Sequence, residues 1–250
     1  MNLRPIRTFA RRLRRDRRGL AMLEFAFTAP LVLGLGCYGI ELANLALVNM
    51  KVSQIALNLA DNGSRVGAYS SLATQQLREV DINDILQAAR YQGAGINLTT
   101  NGRITISSLE NVAQSYDTAN NGAPVQRIHW QRCLGVKSGV GFDGQFKANV
   151  ATTAGSVVAT SASDPNKGYD LPLPGGITDN GTAPIQAPGG AGVIYVEINY
   201  VSTPLFGSWL TGPQTIHYIA SFVVRDRRDY TQIYNPSPAS TRSTCNLYSS

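Results

Sequence analysis

Hydrophobic positions are unevenly spread along this chain. The densest run is LAMLEFAFTAPLVLGLGCYGIELANLALVNM, residues 20–50, within which Phe25 to Ile40 are sixteen consecutive uncharged residues. Counting Leu20 to Leu23 and Leu42 to Val48 as well, at about 1.5 Å per residue the run is long enough for the roughly 30 Å core of a bilayer. Pro30 lies inside it and predicts a kink, because proline removes one helical hydrogen bond. Beyond Met50 the pattern becomes periodic. Val48, Val52, Ile55, Ala56, Leu59 and Ala60 recur on one helical stripe, while Lys51, Gln54, Asn58 and Asp61 take other faces. The spacing predicts a helix that continues to about Tyr69, resembling a stalk packed on a head.

A second helix is expected near 72–91. Asp81 and Asp84 sit where helix N-termini favour acids, Ile82, Ile85, Leu86 and Ala89 form one face, and Gly93 ends it. The period then changes to two. Arg103 to Ile106 reads as a short strand after an Asn101-Gly102 turn. Val125 to Leu134 reads as another, with Val125, Arg127, His129, Gln131 and Cys133 on one face. Val193 to Val201 and Gln214 to Val224 are the clearest strands, joined by the connection Pro204 to Pro213. Between the two pairs, Gly135 to Gly192 is rich in glycine, serine, threonine and proline, with a short strand expected at Val157-Val158. A loop this long predicts a functional surface or poor order. Helices followed by antiparallel strands give an α+β fold: an N-terminal transmembrane helix extending into a head with a second helix and about four strands.

Composition sharpens this picture. Only 15% of the 250 residues are charged and mean hydropathy is −0.09, which excludes a multi-span membrane protein. The net charge of +6 resembles a nucleic-acid signal until it is located. Residues 1–18 carry eight arginines and one acid, Asp16, for a local charge of +7, and the remainder sums to −1. Basicity confined to a leader removes the case for nucleic-acid binding by the body. Arginine before the apolar run places the N-terminus in the cytoplasm and the body outside. A cleavable secretory signal is the alternative, but no clean A-x-A site follows the run, and Ala43-Asn44-Leu45-Ala46 has the wrong spacing. The same lack counts against a twin-arginine signal. For a lipoprotein signal at Cys37, Gly34 stands where leucine is expected.

Glu24 is the residue with chemistry in this segment. A carboxylate inside a membrane helix costs about 2.5–3.5 kcal/mol and marks function by default. If a peptidase cut after Gly19, the new α-amine on Leu20 would lie near that carboxylate, on the same or a neighbouring subunit, and their attraction at low dielectric would offset part of the burial cost. A plain signal anchor with Glu24 snorkelling to the cytoplasmic interface is the simpler alternative.

Arg17-Arg18-Gly19 followed by Leu20-Ala21-Met22-Leu23-Glu24-Phe25 resembles the class III leader of type IV prepilins. With Pro30 and Glu41 at mature positions eleven and twenty-two, it is most similar to the TadE-type pseudopilins of the tight-adherence (Flp pilus) system. The resemblance covers about residues 11–50 and rests on a basic run, glycine, spaced glutamate and apolar helix occurring together. It implies a leader at 1–19, a transmembrane helix at 20–50 and an exported head at 51–250. It implies processing between Gly19 and Leu20 by a prepilin peptidase, and docking or assembly through Glu24 and Phe25. The implied partners are other pilins or pseudopilins, inner-membrane platform proteins of the Tad system and membrane lipid. The implied place is the bacterial inner membrane, with possible entry into a surface pilus that supports adhesion and biofilm formation. The departure is size, since this head is larger than most of the family. The alternative is a single-pass anchored binding protein that never polymerises and recognises ligands through the 135–192 loop.

Cys37 falls in the apolar run and reads as a packing residue. Cys133 and Cys245 fall in the part placed outside the cytoplasm and are expected to form a disulfide. No cofactor and no metal site are expected, because neither C-x-x-C nor a histidine pair at helical spacing occurs. His129 and His217, the only histidines, sit in strand patterns and read as sheet-face residues. Neither G-x-S-x-G nor H-E-x-x-H appears, so no enzyme is expected. Gly139 to Gly144 matches G-x-G-x-x-G, but no helix follows to aim at a phosphate, and it reads as a loop. The run Arg225-Asp226-Arg227-Arg228-Asp229 is read as a solvated strand end.

Overall fold

A computed structural model describes residues 19–67, 74–117, 123–172, 175–179 and 183–249. Residues 1–18 of the leader, and Tyr69 at the expected helix end, lie outside the described residues. The chain divides into two compact units. One holds the chain up to Ala46 together with Thr203–Gly212, and the other holds Leu47–Ser202 and Pro213–Ser250.

Helix α1, Leu20–Arg65, is 46 residues long and contributes to both units. It contains Pro30 without ending there. Thr28, two residues earlier, donates its hydroxyl to the Glu24 carbonyl at 2.9 Å. The described helix stops four residues short of the expected Tyr69. Arg228 donates to the carbonyls of Gly63 (3.1 Å) and Val66 (2.8 Å) there, a cationic cap on carbonyls that no further turn satisfies.

In the larger unit the periodic stripe is buried as its spacing requires: Val48, Val52, Ile55, Ala56, Leu59 and Ala60 are all in the core. Gly63 continues it, so close to the sheet that a Cβ there would lie 3.0 Å from Ile194 and 3.2 Å from Ile106. Helix α2, Glu79–Gln92, begins later than expected and buries Ile82, Ile85, Leu86 and Ala89. Asp81 in its first turn accepts the Arg78 backbone N–H at 3.0 Å, which fixes the start. Asp84 lies beyond that turn. A 3₁₀ turn at Ala94–Ile96 leads to a short helix α3, Leu98–Asn101. The Asn101-Gly102 pair therefore ends a short helix and opens a strand, where the sequence pattern suggested a turn before the strand.

Five antiparallel strands follow: β1 (Gly102–Glu110), β2 (Arg127–Leu134), β3 (Tyr169–Asp170), β4 (Gly192–Val201) and β5 (Thr215–Val223), in spatial order β3-β2-β1-β4-β5. The α+β class and the antiparallel sheet agree with the sequence reading, with one strand more. The added strand is β3. Val157-Val158, expected as a strand, is an exposed irregular segment instead. The register of β1 on β2 shifts between Ser108 and Leu109, pairing Ile128 with Leu109 and Trp130 with Ser108. His129 is the extra residue of that bulge, so the expected single face running through Arg127, His129 and Gln131 is broken there. Every residue of β1 and β2 is buried.

The sheet is covered on both faces. One face carries Ile104, Ile106 and Ile194 against α1 and α2. The other carries Leu109, Ile128, Val193 and Tyr195 in a second core with Val150, Ala154, Leu171, Ile177 and Ala187. Those last five residues belong to the 135–192 segment. These buried residues make part of the segment a packed cover on the sheet rather than a free loop, while Val136, Val140, Val157 and Val158 stay exposed.

Candidate functional site

In the smaller unit, α1 presents apolar side chains to all sides. Leu20, Met22, Leu23, Phe25, Phe27, Leu31, Val32, Leu33, Leu35 and Ile40 are exposed, and the helix is long and apolar enough to cross a membrane. Water disfavours such a surface by roughly 25 cal/mol per Å², so it requires a non-aqueous environment or a partner. Gly19 precedes the helix as a turn residue, and its carbonyl accepts the Leu23 N–H at 3.0 Å. Leu20 is the first helical residue. Glu24 and Phe25 stand next to each other in the second turn, both exposed. Among the described residues Glu24 makes no ion pair, and the leader arginines before it lie outside them.

Glu41 has a different environment. It is 4% exposed, although its neighbours Ile40 and Leu42 face outward. Its carboxylate accepts the Leu205 N–H at 2.9 and 3.2 Å and the Phe206 N–H at 3.2 Å. A buried carboxylate is tolerated when its lone pairs are occupied, and here the backbone of the β4–β5 connection occupies them. That connection, Thr203–Gly212, contains no charged residue and leaves Leu205, Phe206 and Trp209 exposed. Sequence reading treated it as a plain connection. Its apolar, aromatic composition between two well-formed strands was the available signal.

The expected disulfide is present: Cys133 in β2 is bonded to Cys245, 112 positions later. Arg103 fastens the same tail. Its buried guanidinium donates to the carbonyls of Gly135 (2.7 Å), Cys245 (2.7 Å) and Leu247 (3.1 Å) and lies 4.2 Å from the centre of the Tyr248 ring. Asp143 is 3.2 Å from Arg103 Nε and 2.8 Å from Lys147 Nζ. Burial pushes the Asp143 carboxyl up, but the bonds from Lys147 and the Gly139 N–H, with the charge of Arg103, hold it below its ordinary value. Asp143 belongs to the G-x-G-x-x-G match. Its carboxylate takes the Gly139 N–H at 3.0 Å, so the motif's own acid sits where a phosphate-binding loop would offer its amide.

The two histidines are sheet residues. His129 Nδ1 is 3.0 Å from Glu110 Oε2, and Ser108 donates to the other oxygen of Glu110 at 2.7 Å, all three buried. His217 bonds the Asn199 side chain across the β4–β5 pair. Among the described residues no group of three metal-ligating side chains converges. The charged run after β5 departs from expectation. Arg225 and Arg227 are exposed, but Arg228 is buried as the α1 cap, and burial lowers its pKa. Asp229 accepts from Thr231 N–H at 2.9 Å and from the Tyr234 hydroxyl. A run of alternating charge reads as solvated because the sequence carries no sign of the carbonyls waiting at a helix end more than 160 positions earlier.

Comparison of the chain with protein-family models, with curated proteins and with solved structures finds no match to any of them.

Proposed function

We propose that this protein is a pseudopilin or minor pilin of the tight-adherence type, a single-pass assembly protein with no catalytic role. The reading rests on the double character of α1. Behind a basic run ending in Gly19, its first part is apolar on every side, and from Val48 onward one stripe is buried in an α+β head. A helix that serves a bilayer or a filament bundle with one end and a folded head with the other suits a subunit that passes from membrane to assembly. In this reading a prepilin peptidase cuts between Gly19 and Leu20 at the cytoplasmic face. Glu24, with Phe25 beside it, then meets the new amine of its own or a neighbouring subunit. The head is held outside the inner membrane, where the Cys133–Cys245 bond persists. Other pilins and the Tad platform proteins are the partners.

The test is mass spectrometry of the protein from cells carrying the peptidase. The wild type should begin at Leu20, and Gly19→Ala should retain all nineteen leader residues. Glu24→Ala should reach the membrane yet fail to support pilus assembly and surface attachment. Wild-type protein with its leader intact would refute the assignment and leave a tethered exterior domain.

A further inference from the structure

We propose that Thr203–Gly212 is a second membrane-contact element, a short foot that rests in the lipid interface and is buckled to α1 by Glu41. The proposal rests on the membrane-anchor reading of α1 and adds to it a surface that no helix pattern reveals.

Four observations carry it. The ten residues belong to the same compact unit as the apolar part of α1, although β4 and β5 on either side of them belong to the other. They are joined to that helix by the Glu41 carboxylate, which is buried and takes the N–H groups of Leu205 and Phe206. They carry no charge, and Trp209 is 75% exposed and Leu205 60%. The fourth is depth. The 21 helical steps from Leu20 to Glu41 rise about 32 Å at 1.5 Å each, close to the roughly 30 Å thickness of a hydrocarbon core.

Glu41 therefore falls at the far boundary of the bilayer when Leu20 is at the near one. A tryptophan with an apolar body and one N–H donor is suited to that boundary, and aromatic residues concentrate there in membrane proteins. A carboxylate at this level needs hydrogen-bond donors. The foot's own backbone supplies two, which ties its depth to that of the helix. The arrangement gives this unit two contacts with one leaflet. A lipid surface fits these residues better than a second copy of the chain, because Glu41 bonds them to the same helix whose exposed apolar residues the anchor reading places in lipid.

The experiment uses the full chain reconstituted in phosphatidylcholine–phosphatidylglycerol vesicles, with and without phosphatidylcholine brominated high on its acyl chains. The chain has two tryptophans, and Trp130 is buried at 3% exposure. Subtracting the spectrum of Trp209→Phe therefore isolates Trp209. Its emission should be blue-shifted and largely lost in the brominated vesicles, and Glu41→Ala should restore much of it. Cys37, the free cysteine in the apolar run, reports on the anchor separately through protection from a membrane-impermeant maleimide. Protected Cys37 with unquenched Trp209 overturns the foot and leaves the anchor. A blue shift that ignores bromine but follows the protein-to-lipid ratio assigns the surface to a second copy and overturns the proposal. Quenching unchanged in Glu41→Ala overturns the buckle. A labelled Cys37 removes the anchor and the foot with it.

Discussion

Glu79 and Arg132 form the most deeply buried ion pair among the described residues, with side-chain exposures of 0% and 1%. Glu79 opens α2, and Arg132 lies in the middle of β2, so the pair joins helix to sheet inside the core. Arg132 Nε donates to one Glu79 oxygen at 2.9 Å and Nη2 donates to the other, while Nη1 takes the Gln131 carbonyl at 2.8 Å. Arg242 approaches Glu79 at 3.4 Å but is 41% exposed and is able to return to water. Replacing Glu79 with leucine leaves two guanidinium donor groups, and a full charge, without a carboxylate in an apolar interior. Such an orphaned charge costs about 3–5 kcal/mol, a large share of a total stability of 5–15 kcal/mol. Removing both charges together, as Glu79→Leu with Arg132→Met, should restore stability to within about 1 kcal/mol of wild type or exceed it, because neither ion then needs desolvation. The expected coupling energy is therefore about 3 kcal/mol or more. The assay is urea unfolding of the full-length oxidised protein in detergent, followed by fluorescence, with Trp130 two positions from Arg132 in the same strand. If the double variant loses the sum of the two single losses, the pair is not acting as a desolvated unit, and the account of the helix–sheet core fails.

Three further outcomes are expected. Cys133→Ser with Cys245→Ser should destabilise the head by up to about 4–5 kcal/mol, the chain-entropy value for a 112-residue closure, in a comparison of urea midpoints; the Arg103 bonds to Cys245 and Leu247 keep the tail in place in the folded state, so the loss reads the freed unfolded chain. Gly168→Ala should destabilise by about 3 kcal/mol or more, since φ is +83° and a Cβ would lie 2.2 Å from the Ile128 carbonyl oxygen. Gly139→Ala, at φ +92° with nothing within 4 Å, should cost only about 1–2 kcal/mol in the same comparison of urea midpoints. The head should also weaken in acid. Burial pushes the Asp170 carboxyl up, but the bonds from Lys167 and Arg127 outweigh it and hold it low, as Lys147 and the Gly139 N–H do for Asp143. A depressed carboxylate stabilises above its unfolded value of about 3.9 and loses that contribution as pH falls through the lower folded value. Urea midpoints should therefore drop below about pH 4, and the slope should flatten in Asp143→Asn/Asp170→Asn.

The sequence alone determined what neighbouring residues can express. The apolar run and its arginine flank, the stripe from Val48 to Ala60, the face of α2 and the alternation of β4 and β5 all lie within a few turns or pleats of themselves. Their periods survive without knowledge of the fold. The Cys133–Cys245 bond was also legible, because only two of the three cysteines lie outside the apolar run. Tertiary structure decided the rest. The bulge at His129, the 135–192 segment as the cover of a sheet face and Arg228 as a helix cap each depend on groups far away in the chain. The same holds for the meeting of Glu41 with Leu205, 164 positions on. A buried polar group reveals its function only through its partner. Sequence shows that the carboxylate must be answered, and folding chooses which backbone answers it.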